Sequence, residues 1–266
     1  MAKRALPVLP DGFGDDKLPS RTFSHSQYSL YKNCPKAYEF KYVLKQASPS
    51  KPAMLRGVLF HSAVEHVLRK RMNGEAVTLQ EAHEVIEQEL QLGDVEVDWR
   101  DSTPDATKSA ARQSYTVYHQ KGLSGIHPIA VEHLFTTWVG DVPVLGYMDV
   151  IHQAPGDPAQ VVVDLKTSKS AWSDRDIRLS TQLTLYALAH GTQYVQIDNV
   201  VTRASGYDFQ RKTDTRDVGQ MRVLTEDIGE VAHLIRTGIF PRAAIDHWMC
   251  SKDWCSFWDR CRGKKY

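Results

Sequence analysis

Apolar residues recur at two periods along this chain, and the change from one to the other divides it. Up to about residue 121 the spacing is helical. Aromatics run through residues 24–43 around a break at Pro35, and Leu55, Val58, Leu59, Ala63, Val67 and Leu68 make one stripe over residues 54–72. Thr78 and Glu81 open the next helix as a capping box, and Ala82, Val85, Ile86 and Leu90 form its stripe over 78–92. Residues 104–121 read as a third, more polar helix. The period then shortens to that of strands at 128–138 and 142–151, which meet at Gly140-Asp141, and a third strand follows at 161–166. A helix at 179–190 carries Leu183, Tyr186, Ala187 and Leu188. Two more strands, 195–201 and 207–211, flank Ser205-Gly206, and a last helix over 217–237 is ended by Gly238 and Pro241. The expectation is an α/β protein with a helical N-terminal part, a mixed sheet broken by one crossover helix, and a cysteine-rich C-terminal tail. Residues 1–21, rich in Pro, Gly and charge, read as a flexible or loosely docked leader.

Three charges break the apolar strands. Val161-Val162-Val163-Asp164-Leu165-Lys166 should be buried on both faces, where Asp and Lys are costly without partners or a metal. Asp164 and Lys166 are two residues apart and project from one face. The turn-rich link at 153–160 lets this strand pair with 146–151, which brings Asp149 beside them. A buried ion pair adds little net stability, so three such charges in one hairpin point to a hydrolytic metal site.

The ordered set Gly57-x-x-x-His61, Asp149, Asp164-Leu165-Lys166 and Gln182-x-x-x-Tyr186 resembles the PD-(D/E)XK nuclease superfamily, in its RecB-type exonuclease branch. The resemblance covers roughly residues 24–266. It implies a restriction-endonuclease-like mixed β-sheet core flanked by helices. It also implies a single nuclease domain over 22–266, with a helical insertion at about 73–125. Cutting a phosphodiester requires neutralising the charge that develops on phosphorus and generating hydroxide near neutral pH. Hard oxygen ligands that hold Mg²⁺ or Mn²⁺ serve both needs. Asp149 and Asp164 would hold the metal, with the Leu165 carbonyl as a third ligand, and Lys166 would orient or activate the attacking water. The resemblance adds His61 as a further metal ligand and places Gln182 and Tyr186 in the site, one helical turn apart. For Glu132 solvation at a sheet edge is expected over approach to the site, and for Glu65 solvation on its helix over a role as an outer carboxylate behind the ligands. His127, His133 and His152 show no metal-ligand spacing.

Composition narrows the setting. Hydrophobic residues make 42% of the 266-residue chain and charged residues 24%, as in soluble globular proteins. A net charge of +1 confines any nucleic-acid contact to local patches. With no membrane-length apolar run and no signal-peptide core, the expected location is cytoplasmic. Lys169, Arg175 and Arg178 are candidates for phosphate contact, as are Arg260, Arg262, Lys264 and Lys265 in the tail. Cytosolic cysteines are seldom disulfide-paired, yet Cys250, Cys255 and Cys261 crowd the last 17 residues while Cys34 stands far away. The set resembles the iron–sulfur staple of the AddB nuclease domain and CRISPR-associated adaptation nucleases, which implies a [4Fe-4S] cluster tying the chain ends together. Four residues separate Cys250 from Cys255 where that family has two, and thiolates suit zinc as well. Trp254 and Trp258 are expected to pack around the cluster.

The resulting expectation is a metal-dependent DNA exonuclease. Its substrate would be single-stranded or end-processed DNA in recombination, repair or mobile-element replication. The chain has no Gly-x-x-x-x-Gly-Lys-Ser/Thr phosphate loop, so a motor would have to come from a separate helicase or recombination partner. Rival readings are a structure-specific endonuclease on the same site, a non-catalytic DNA-binding module, and a redox sensor. The second would have lost an Asp or Lys that is present here.

Overall fold

The structure, a computed structural model, describes residues 7–91 and 96–263. The sequence readings for residues 1–6, for residue 92 and for Lys264 and Lys265 therefore lie outside the described residues. Its helices are α1 (His25–Asn33), α2 (Pro35–Tyr38), α3 (Pro52–Met72), α4 (Leu79–Gln91), α5 (Pro104–Lys121), α6 (Asp174–Arg178), α7 (Thr181–His190), α8 (Val218–Arg236) and α9 (Trp258–Cys261). The strands are β1 (Pro128–Val139), β2 (Val142–His152), β3 (Val161–Ser168), β4 (Tyr194–Arg203) and β5 (Gly206–Thr215). None of the described helices is long and apolar enough to cross a membrane.

The five strands form one mixed sheet in the order β1-β2-β3-β4-β5. β2 runs antiparallel to β3, with Val150 opposite Val163, and β4 runs antiparallel to β5. β3 and β4 are parallel, from Val161 opposite Tyr194 to Ser168 opposite Val201. A parallel neighbour needs a crossover, and α6 and α7 supply it. α6 escapes a periodicity reading because five residues cannot make a stripe. Ser173 and Asp176 nevertheless form a complete capping box at its start.

The chain forms two compact units. One comprises Ser50–Phe135 and Tyr147–Val218; the other comprises Pro7–Pro49, Thr136–Gly146 and the chain from Gly219 on. In the first, Leu59, Phe60, Ala63, Val64 and Leu68 of α3 pack with Tyr115 and Tyr118 of α5 over Val163 and Leu165. The strand pleat then turns Asp164 and Lys166 to the opposite face. That is how an apolar strand delivers two charges to one place.

The first unit also holds a buried ion pair. Arg211 on β5 donates to both carboxylate oxygens of Asp198 on β4, at 2.8 and 2.7 Å. Asp198 is fully buried and also accepts from Gln196 and from the Tyr118 hydroxyl. Arg211 further donates to the Gly122 and Ser124 carbonyls, fastening the end of α5 to the sheet.

The second unit contains α1, α2, α8 and α9. The Tyr28 hydroxyl donates to Asp227 at 3.1 Å, and Arg236 bridges Asp15 and Asp141 at 2.6 Å each. Residues 7–21, read as a leader, carry two buried anchors, Phe13 and Leu18, and Phe13 meets Trp138 edge to face.

Candidate active site

The β2–β3 hairpin sets the site. Its backbone pairing runs from His152 opposite Val161 to Val150 opposite Val163, and beyond that the Leu165 N–H donates to Asp149 Oδ2 at 2.7 Å. A carboxylate replaces a carbonyl there, so Asp149 is fixed beside β3. α3 lies across the same place. His61 Nε2 is 3.0 Å from the Leu165 carbonyl, and its Nδ1 is 3.5 Å from Asp149 Oδ1 and 3.8 Å from Glu132 Oε1.

Glu132 is a correction to the sequence reading, which placed it in solvent at a sheet edge. Its side chain is 9% exposed, and its backbone takes φ +49° in the middle of β1. A positive φ is rare for a non-glycine residue within a strand and re-aims the chain. Burial alternation slips there, with His133 and Leu134 exposed in succession. Periodicity assumes an unbroken pleat and so does not reveal that Glu132 turns towards the site. The adjacent polar pair Glu132-His133, which breaks the apolar alternation, was the available signal.

His61, Glu132 and Asp149 each offer a ligand atom, and these atoms lie within 4.8 Å of one another. Burial raises the Asp149 pKa well above the ordinary carboxylate value; Asp164 and Glu132 add to the rise, while His61 and Lys166 oppose it. For His61, burial alone would lower the pKa, but Asp149 and Glu132 outweigh it and the net shift is upward. Two carboxylates this close, in so little water, require a proton or a cation between them. Carboxylate oxygens with one imidazole suit a divalent cation of the Mg²⁺ or Mn²⁺ type, so the residues fit the group.

Asp164 stands beside this triad and not within it. It is 1% exposed, accepts from Lys166 Nζ at 2.9 Å through Oδ1, and has no hydrogen bond to Oδ2, although that oxygen lies 2.8 Å from Nζ. Lys166 also donates to Gln182 Oε1 at 3.0 Å, and Gln182 Nε2 donates to the Tyr186 hydroxyl at 2.8 Å. Burial would lower the Lys166 pKa, but Asp164 and Asp149 raise it, so the amine is held as ammonium. Burial raises the Tyr186 pKa, with Asp164 and Asp149 adding to it, so the phenol stays neutral. The fold thus gathers His61, Asp149, Asp164, Leu165, Lys166, Gln182 and Tyr186 around the hairpin. Of the phosphate-contact candidates, Lys169 is exposed just after β3, and Arg175 and Arg178 are exposed on α6. Glu65 is a helix-surface partner of Arg69, at 2.9 Å.

In the second unit Cys34, Cys250, Cys255 and Cys261 line one cavity, and none is in a disulfide. Burial raises the Cys255 thiol pKa, and the other three cysteines add to the rise. Trp258 lines the cavity as expected, but Trp254 does not. Trp254 is 60% exposed and meets Trp248 edge to face. Phe257 and Phe40, with ring centroids 5.4 Å apart, fill the place beside the sulfurs instead.

The sequence pattern of the PD-(D/E)XK nuclease superfamily matches residues 22–262, and the chain belongs to that superfamily. Its members use divalent metals and act on nucleic acid. Among solved structures, a protein from Eubacterium rectale described as a candidate exonuclease is similar in fold, at TM-score 0.53 and 12% identity, covering 92% of this chain and 93% of its own. The protein SSO0001 aligns at TM-score 0.39 and 15% identity, covering 91% of this chain and 97% of its own. No curated protein matches the chain.

Proposed function

We propose that this protein is a Mg²⁺- or Mn²⁺-dependent DNA exonuclease of the RecB-type branch, acting on single-stranded or end-processed DNA in recombination, repair or mobile-element replication. The observation that carries the reading is the continuous Asp164–Lys166–Gln182–Tyr186 hydrogen-bonded chain standing beside the His61–Glu132–Asp149 triad. His61, Glu132, Asp149, Asp164 and the Leu165 carbonyl would hold the metal, which supplies charge neutralisation and an acidified water when bound.

The remaining chemistry belongs to the chain. Lys166 presents a fixed ammonium, aimed by Asp164 and Gln182, to orient the attacking water and offset charge developing on the phosphate oxygens. Tyr186 holds Gln182, and Gln182 fixes Lys166, so the cation has no rotamer to search. Residues 22–266 are read as one nuclease domain working with a separate helicase or recombination protein, in the cytoplasm.

Digestion with Mg²⁺ or Mn²⁺ tests the activity: end-labelled linear DNA should be consumed while closed circular DNA of the same sequence survives. Cutting of the circle would overturn the exonuclease reading. Glu132→Gln should raise the divalent-ion concentration needed for half-maximal activity by about tenfold, read from a metal titration. An unchanged titration would remove Glu132 from the metal site.

Four thiols lining one cavity support a [4Fe-4S] cluster, ligated by Cys34, Cys250, Cys255 and Cys261. Phosphodiester hydrolysis transfers no electrons, so its role is to tie Cys34 to the tail. The purified protein should be brown with a broad charge-transfer absorbance, and Cys255→Ala should lose both. A colourless protein carrying stoichiometric zinc would refute the cluster.

A further inference from the structure

Arg56 is a half-buried cation with no carboxylate partner among the described residues. Elsewhere in the first unit, Arg211 meets Asp198 and Arg216 meets Asp214, while Arg71 is taken by the Leu123 and Ile126 carbonyls. Among the described residues Arg56 has no ion pair. Its one hydrogen bond is from Nη1 to the Thr202 hydroxyl, at 3.2 Å, and its buried Nε has no partner. Burial lowers its pKa, and no carboxylate contributes to restore it. Desolvating a guanidinium is costly unless an anion compensates, and this protein leaves the place for one open.

Its position explains which anion. Arg56 precedes Gly57 on α3, where a Cβ would stand 3.8 Å from Thr167 Oγ1, so the helix backbone runs close beside the end of β3. His61 lies farther along the same helix and reaches the Leu165 carbonyl. Thr202 lies at the C-terminal end of β4, just past the Ser168–Val201 pair of the parallel ladder. Ligands of such sheets bind beyond the carboxyl ends of parallel strands. Lys166 pairs with Asn199, so Thr202 is one strand over and three residues on, about 10 Å along the strand. Three residues is also an odd step, so Thr202 faces α3 and Arg56 while Lys166 takes the other face of the sheet, and the two cations are set apart.

We infer that Arg56 is a positioning residue that binds a backbone phosphate flanking the one that is cut, with Thr202 holding the guanidinium in place. The inference rests on the nuclease reading for its ligand, and it adds a contact that no motif in the sequence assigns. A planar guanidinium with free donors matches two phosphate oxygens, and that contact carries no base sequence information.

The test separates binding from cutting. Anisotropy of a labelled single-stranded DNA oligonucleotide is measured in EDTA, so the result stands whether or not the protein cuts. Arg56→Ala should weaken binding about tenfold, and should flatten the slope of log K against log salt by about 0.7, the value of one phosphate contact on a single strand. Arg56→Lys should keep most of the slope, because it keeps the charge. Circular dichroism and melting temperature should match wild type. Unchanged affinity and slope in Arg56→Ala, or Arg56→Lys as weak as Arg56→Ala, would overturn the inference. Failure of the wild type to bind would overturn it as well. Binding with the Arg56 dependence but without cleavage would sink the nuclease reading alone.

Discussion

Lys166→Ala and Asp164→Ala are each expected to reduce DNA cutting by about a thousandfold or more. The expectation follows from how the two charges depend on each other. Asp164 is 1% exposed and has Lys166 as its cation, with Nζ 2.9 Å from Oδ1. Lys166 in turn is aimed by Asp164 and by Gln182. Removing the lysine takes away the ammonium that offsets developing charge and orients water. Removing the aspartate takes away the anchor of that ammonium and, on the proposed reading, a metal ligand as well. The two losses are therefore not additive, and the double variant should be no worse than either single one. Loss of fold is excluded by pairing each alanine variant with one that keeps its shape, Asp164→Asn and Lys166→Met. These should melt close to wild type and still fail to cut. Alanine variants that cut at the wild-type rate would sink the site assignment.

The second large effect is on stability. Arg211→Ala should destabilise the protein by about 3–5 kcal/mol, because it strands a fully buried carboxylate. Asp198 would keep only the Gln196 amide and the Tyr118 hydroxyl as partners. The Gly122 and Ser124 carbonyls would also lose their donor, which frees the end of α5. The double variant Asp198→Leu/Arg211→Leu removes both charges together and should recover much of that loss. Chemical denaturation of the three proteins measures this. If the single and double variants are equally unstable, packing and not charge explains the cost, and the pair is not what fastens α5 to the sheet.

Several elements were legible because local chemistry alone specifies them. The stripe Leu55, Leu59, Ala63, Val67 and Leu68 makes α3 whatever it packs against, and the structure extends it only to Pro52. The link at 153–160 forces β2 and β3 together, and the two-residue period places Asp164 and Lys166 on one face. Asp149, Asp164 and Lys166 could therefore be found as a cluster before any packing was known. Gln182 and Tyr186, one turn apart on α7, came with the motif order, and their 2.8 Å hydrogen bond agrees with it.

Other features depend on where elements meet, which no local period encodes. Glu132 joins His61 and Asp149 because a positive φ at one residue breaks the pleat of β1. Trp254 is exposed, and Phe40 and Phe257 stand beside the cysteines in the place expected for it. Arg56 is notable only once Arg71, Arg211 and Arg216 of the same unit have been matched to their acceptors. The same holds for Asp198 and Arg211, 13 residues apart on neighbouring strands, whose pairing follows from the β4–β5 register. The sequence by itself determined the longer helices, the hairpin and the three charges within it, since each follows from spacing along a single strand or helix. Tertiary structure decided which further groups those charges face, because burial and ion pairing are set by residues far apart in the chain.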